Sequence, residues 1–74
     1  MKANKKEQCI QNTLIKHYEK YYGLAYSYVK NENLAVQIMG DAAYKAIYFA
    51  DRLMKPEQVE LWIEKIVRKE AEKR

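Results

Sequence analysis

Residues 18–28 read YEKYYGLAYSY and hold five of the seven tyrosines of this 74-residue chain. Around this stretch, apolar residues recur at steps of four or three positions, which is the spacing of residues on one face of an α-helix. The pattern predicts one long helix over residues 5–30. Its buried face is predicted to consist of Ile10, Leu14, Tyr18, Tyr21, Ala25 and Val29.

The polar stretch KNEN, residues 30–33, separates this helix from the next. Asn31 or Asn33 can cap the second helix by accepting a hydrogen bond from a free backbone amide. The second helix is predicted over residues 33–52. Its apolar face comprises Leu34, Ala35, Ile38, Ala42, Ala46 and Phe49, and the alanines allow a neighbouring helix to come close.

Pro56 suits the first turn of a third helix, predicted over residues 56–72, because the missing amide of proline costs nothing there. We expect Trp62 to lie in the core. The apolar face of this helix comprises Val59, Trp62, Ile63, Ile66 and Val67. The chain is therefore predicted to be all-α, a single small domain of three helices over residues 1–74.

The remaining tyrosines have two interpretations. Tyr22 borders the buried face of the first predicted helix and is assigned mostly to the core. The other four are Tyr26 and Tyr28, which flank that face, and Tyr44 and Tyr48, which lie four positions apart on the second helix. Such residues can cover the rim of a small core, with the hydroxyl in water. Alternatively, they form a surface that meets a protein or stacks on nucleic-acid bases.

Composition excludes several classes of protein. One cysteine and one histidine cannot form an internal disulfide or a closed zinc site, which favours a reducing cytoplasm and predicts no cofactor. The longest stretch without a charge is nine residues, 21–29, too short to span a membrane. There is no glycine-rich phosphate loop or acidic metal cluster, so we do not expect an enzyme. The net charge of +4 permits contact with nucleic acid.

Two segments carry a resemblance to a known family: HYEKYYGLAYSYVKNENLAVQIMGDAAYKAI, residues 17–47, and KPEQVELWIEKIVRKEAEKR, residues 55–74. Together they resemble region 2 of the extracytoplasmic-function sigma factors of bacterial RNA polymerase, within the sigma-70 family. That family has a Y-x-x-L-A-x-x-x-V helix, an A-x-D-I-V-Q-E helix and a W-[LFI]-x-[KR]-I segment. The last two correspond here to residues 35–41 and 62–66.

The resemblance implies a polymerase-binding face on the second predicted helix, directed at the clamp helices of the largest subunit. Helical spacing places its members on one side; they are Gln37, Asp41, Tyr44 and Lys45. Only Asp41 keeps the charge of the family's polar pattern. Gly40, in mid-helix, costs about 1 kcal/mol relative to alanine unless something packs closely over it. The alternative is an ordinary solvated face.

The resemblance also implies a DNA-binding region. The loop YFADRLMKPE, residues 48–57, matches the family segment that captures a base flipped from the melted promoter element. The implied DNA contacts are Tyr48, Phe49, Arg52, Lys55, Lys65 and Arg68. In the alternative interpretation, Phe49 and Leu53 are tucked into the core, and the basic residues of the third helix pair with neighbouring glutamates.

The function implied is that of a transcription-initiation module in the bacterial cytoplasm. It would bind core RNA polymerase and assist recognition or melting of the promoter −10 element, with weak contact to promoter DNA in double- or single-stranded form. No region 4-like domain is recognisable in the chain, so a separate partner is expected to supply that part. The alternative is a protein-interaction regulator of the same fold, engaged for example by an anti-sigma-like protein, that has lost DNA binding.

Overall fold

The computed structural model describes residues 5–74, and the secondary structure of this part is entirely helical. The all-α prediction is therefore confirmed, while residues 1–4 of the predicted domain lie outside the described part. The elements are helices α1 (Lys5–Lys16), α2 (Tyr18–Val29), α3 (Glu32–Tyr48) and α4 (Val59–Glu72), with 3₁₀ turns at Ala50–Arg52 and Pro56–Gln58 between the last two helices.

The prediction of one helix over residues 5–30 is corrected at His17, where α1 ends and α2 begins. His17 has φ −115° and ψ 26°, outside the helical range. One turn earlier, the Thr13 hydroxyl donates to the Cys9 carbonyl at 2.8 Å, a bond that often bends helices. The bend lets α1 pack against both α3 and α4. The hydrophobic spacing continues across His17, so periodicity alone could not locate it.

The connection between α2 and α3 is closed by two residues of the KNEN stretch. Lys30 adopts a left-handed conformation, with φ 52°, and its amide donates to the Tyr26 carbonyl at 2.7 Å. The Asn31 side chain then accepts from the Leu34 amide at 2.9 Å. Asn31, one of the two candidates from sequence, is thus confirmed as the N-cap of α3.

Helix α3 lies at the centre of the core and packs against α2 and α4. Its buried face carries three alanines, Ala35, Ala42 and Ala46, none of which is exposed. Small side chains let adjacent helices come close, so larger residues from the neighbours complete the core. Those residues include Ile10, Tyr21, Ile63 and Val67, all fully buried.

Not all of the predicted core residues are fully buried. Tyr18 is 44% exposed, because the bend places it in the first turn of α2 at the edge of the core. Its ring stacks on Tyr22 at 6.1 Å, and Tyr22 stacks on Tyr26 at 6.3 Å. Trp62 is only partly buried and packs against the outside of the core. Tyrosines of α2 therefore serve two purposes: Tyr21 fills the core, and the others line its rim.

Replacing Gly40 with alanine is expected to stabilise the domain. Gly40 is exposed in the middle of α3, and a Cβ placed there would meet nothing within 4 Å. Alanine should raise the free energy of unfolding by about 0.5 to 1 kcal/mol. Thermal unfolding followed by circular dichroism should then shift upward by several degrees, at about 4 to 8 °C per kcal/mol.

Gly23, equally exposed in α2 with open space around it, provides the matched variant. Gly23→Ala should produce a similar increase. A lower melting temperature for Gly40→Ala alone would contradict the open surroundings of that position.

Candidate functional site

A groove lies between the α3–α4 connection and the outer face of α4. It has a volume of about 490 Å³ and contains four of the six predicted DNA-binding side chains. The 3₁₀ turn Pro56–Gln58 leads from the connection into α4, and residues of both line the groove. The groove residues are Arg52, Leu53, Met54, Lys55, Gln58, Leu61, Trp62, Glu64, Lys65 and Arg68.

The groove combines apolar residues with a basic rim. Leu53 is buried and Trp62 partly buried, whereas Met54 is 80% exposed and Leu61 is 61% exposed. Sequence reasoning did not assign Met54, Gln58 or Leu61 to a site, and it placed Trp62 in the core. The sequence did contain a sign of this surface: Leu61 is an apolar residue of α4 outside the predicted apolar face. Its position beside the loop depends on how the connection folds against α4.

The four basic groups of the groove differ in how free they are to meet an anion. Arg68 donates to the Glu64 carboxylate at 3.1 Å, one helical turn away. The Arg52 guanidinium lies over the Phe49 ring, 4.7 Å from its centroid. Lys55 and Lys65 have no ion pair among residues 5–74. The groove therefore holds two unpaired ammonium groups and one guanidinium without a carboxylate partner.

Two predicted DNA-binding residues lie beside the groove and not in it. Tyr48 is 69% exposed and stacks on Tyr44 with ring centroids 6.0 Å apart. Its ring meets the edge of Phe49 at 4.9 Å. Leu53 belongs to the buried core, as the alternative interpretation expected. Phe49 is only partly buried, between Tyr48 and Arg52. The stacked rings of Tyr44 and Tyr48, each 69% exposed, therefore form an aromatic surface at this end of α3.

The predicted polymerase-binding residues lie along one side of α3. Three of the four contact either the last turn of α4 or Arg74, which follows that helix. Asp41 accepts a hydrogen bond from Arg74, which also donates to the Gln37 side chain at 3.4 Å. Lys45 donates to the Glu70 carboxylate. Tyr44 is 69% exposed.

Glu70 is the one charged residue of the described part that is buried. Burial by itself would raise the pKa of its carboxyl, but hydrogen bonds from Lys45 and from Lys73, at 3.2 Å, outweigh that effect and hold the pKa below its ordinary value. The hydrogen bond to Glu70 also raises the pKa of Lys45. Glu70 and Lys45 are therefore both charged at neutral pH.

Replacing Glu70 with glutamine is expected to flatten the acid side of the pH–stability profile. Because the folded-state pKa of Glu70 is lowered, the carboxylate stabilises the fold above its ordinary value of 4.5. That contribution is lost as the pH falls below this value towards the folded-state pKa. Glu70→Gln should cost about 1 to 3 kcal/mol near neutral pH, since it removes charge-assisted hydrogen bonds.

Thermal melts of parent and variant at about pH 7 and about pH 3 measure the effect. The difference between the two proteins should shrink on acidification. An unchanged difference would show that Glu70 does not contribute as a carboxylate.

No helix of residues 5–74 is both long and apolar enough to cross a membrane. In the same part of the chain, no group of three or more histidine, cysteine, aspartate or glutamate side chains is placed to hold a metal ion.

This all-α chain carries a segment similar to RNA polymerase sigma factors. The relative is RNA polymerase sigma factor SigV of Bacillus subtilis (strain 168), with 35% identity over 51 residues. The matched segment covers 69% of this chain and 31% of the relative, so the chain spans about a third of the relative's length. No family model and no solved structure matches the chain.

Proposed function

We propose that this protein is a sigma region 2-like transcription module. It binds the clamp helices of core RNA polymerase through α3 and assists recognition or melting of the promoter −10 element. A separate partner supplies the region 4-like function. The observation that carries the proposal is the similarity of 51 residues to a sigma factor. The role is one of binding, and it requires neither catalysis nor a cofactor.

The groove supports the DNA part of the proposal. Proteins that bind single-stranded nucleic acid combine a positively charged groove with side chains on which bases stack. Here Lys55 and Lys65 are unpaired within the described residues, the apolar groove surface includes Trp62, and Tyr48 offers an exposed ring nearby. With so few phosphate contacts, binding is expected to be weak and strongly dependent on salt.

Removing Lys65 is expected to weaken binding to single-stranded DNA and to reduce its salt dependence. For single strands, each phosphate contact contributes about 0.7 to the slope of log K against log salt concentration. Lys65→Ala should therefore lower the slope by about that amount. Fluorescence anisotropy with a labelled −10-element strand, with polymerase present, measures it at several salt concentrations.

Two further variants sharpen this test. Lys69→Ala removes the same charge from α4 outside the groove and should leave the slope nearly unchanged. Glu64→Gln frees Arg68 and removes the only carboxylate of the groove, so it should tighten binding. Equal effects of Lys65→Ala and Lys69→Ala, or no binding at low salt, would remove the promoter role.

One observation favours a second candidate function, a regulator with this fold that does not act on DNA. Asp41, the one position that keeps the charge of the sigma pattern, is paired with Arg74 inside the chain. Purification of the tagged protein from its native cells distinguishes the candidates. Recovery of polymerase subunits supports the transcription module, and recovery of an anti-sigma-like protein without polymerase supports the regulator.

A further inference from the structure

The last turn of α4 and the residues that follow it contact the side of α3 that the proposed function assigns to polymerase. Arg74 reaches Asp41 and Gln37, and Glu70 holds Lys45. These contacts engage the polar groups through which α3 would recognise a partner. The following inference rests on the proposed function.

These contacts fall into two groups that differ in how deeply they are buried. Glu70 is buried, with 8% of its side chain exposed, and bonds Lys45 and Lys73. The first group anchors α4 to α3. The pair between Arg74 and Asp41 is more open, since their side chains are 26% and 54% exposed. Exposed ion pairs contribute little to stability, so Arg74 can leave Asp41 without unfolding the domain.

We propose that Arg74 acts as an intramolecular competitor, an autoinhibitory contact that occupies Asp41 and Gln37 until a partner displaces it. The antiparallel packing of α3 and α4 places Arg74 beside both residues. A partner that needs the Asp41 carboxylate binds only the fraction of molecules in which Arg74 has left. Its apparent dissociation constant is therefore larger than that of the open form, in proportion to the inverse of that fraction.

The test is a titration of the full chain against a fragment carrying the clamp helices of the largest polymerase subunit. Arg74→Ala should lower the dissociation constant by about two- to five-fold, the range expected for loss of an exposed ion pair. Lys69→Ala is the control. Lys69 is exposed on α4 and has no ion pair among the described residues, and its loss changes the net charge equally.

A second readout follows Arg74 itself. Its amide donates to the Ala71 carbonyl at 3.1 Å, and the Lys73 amide donates to the Glu70 carbonyl at 3.3 Å. If the partner displaces the Arg74 side chain, hydrogen exchange at these two amides should become faster in the complex than in the free protein.

The outcomes separate the two proposals. Tighter binding by Arg74→Ala than by Lys69→Ala, with faster exchange of the last turn in the complex, supports the competitor. Binding by the parent with equal or weaker binding by Arg74→Ala overturns the competitor and leaves the proposed function standing. Slower exchange in the complex overturns it as well. Absence of binding by the parent and both variants removes polymerase recognition and the competitor together.

Discussion

Replacing Tyr21 with alanine is expected to leave most of the protein unfolded at room temperature. Tyr21 is the largest of the fully buried side chains, and loss of a buried aromatic ring costs about 3 to 5 kcal/mol. A domain of this length has only a few kcal/mol of net stability. Far-ultraviolet circular dichroism at 25 °C and a thermal melt measure the loss.

Tyr21→Phe separates the ring from the hydroxyl. The Tyr21 hydroxyl donates to the Glu60 carbonyl at 3.1 Å, so its removal should cost only about 0.5 to 1.5 kcal/mol. Burial, together with the nearby Glu60 and Glu64 carboxylates, raises the pKa of the phenol to about 12. Trp62→Ala should cost less than Tyr21→Ala, because Trp62 is partly exposed. Tyr21→Ala melting within a few degrees of the parent would contradict this arrangement of the core.

Replacing Asp41 with lysine is expected to abolish binding to the polymerase clamp helices while the fold persists. The Asp41 side chain is 54% exposed, and its partner Arg74 lies two residues beyond the end of α4. Loss of such a surface pair costs at most about 1 kcal/mol of stability. A like charge set against a basic partner surface costs several kcal/mol of binding, so affinity should fall by at least about 100-fold.

The experiment titrates parent and variant against the isolated clamp-helix fragment, with circular dichroism as a check on folding. Glu19→Lys makes the same change of charge on an exposed part of α2 and serves as the control, with binding expected to be retained. Equal binding by the parent and Asp41→Lys would mean that α3 does not use Asp41. Failure of the parent itself to bind would favour the regulator.

Most helices and much of the core were predictable because helical periodicity is a local property. The spacing of apolar residues located α3 and α4 to within a few positions. The capping chemistry of asparagine made Asn31 a candidate for the start of α3. The bend at His17 was not predictable, since its consequence is the packing of α1 on two helices distant in sequence. The exposure of Tyr18 follows from the same bend.

The residues of the two candidate sites could be proposed from the sequence, but the surfaces that they form could not. Resemblance to a sigma factor family pointed to basic residues of the loop and of α4, and four of them line one groove. Neither the separation of Tyr48 from that groove nor the contribution of Met54 and Leu61 followed from spacing. The engagement of Asp41 by Arg74, 33 positions away, was equally absent from any local pattern.

The amino-acid sequence by itself determined the helical class, the α3 cap and which faces of the helices are apolar, because these depend on neighbours within about one helical turn. Only the tertiary structure decided that Tyr21 fills the core while Tyr18 stays outside. It also decided that the loop and α4 form one groove and that α4 closes over the polar side of α3. Those outcomes depend on how far the chain bends and which distant helices meet, and no residue spacing encodes that.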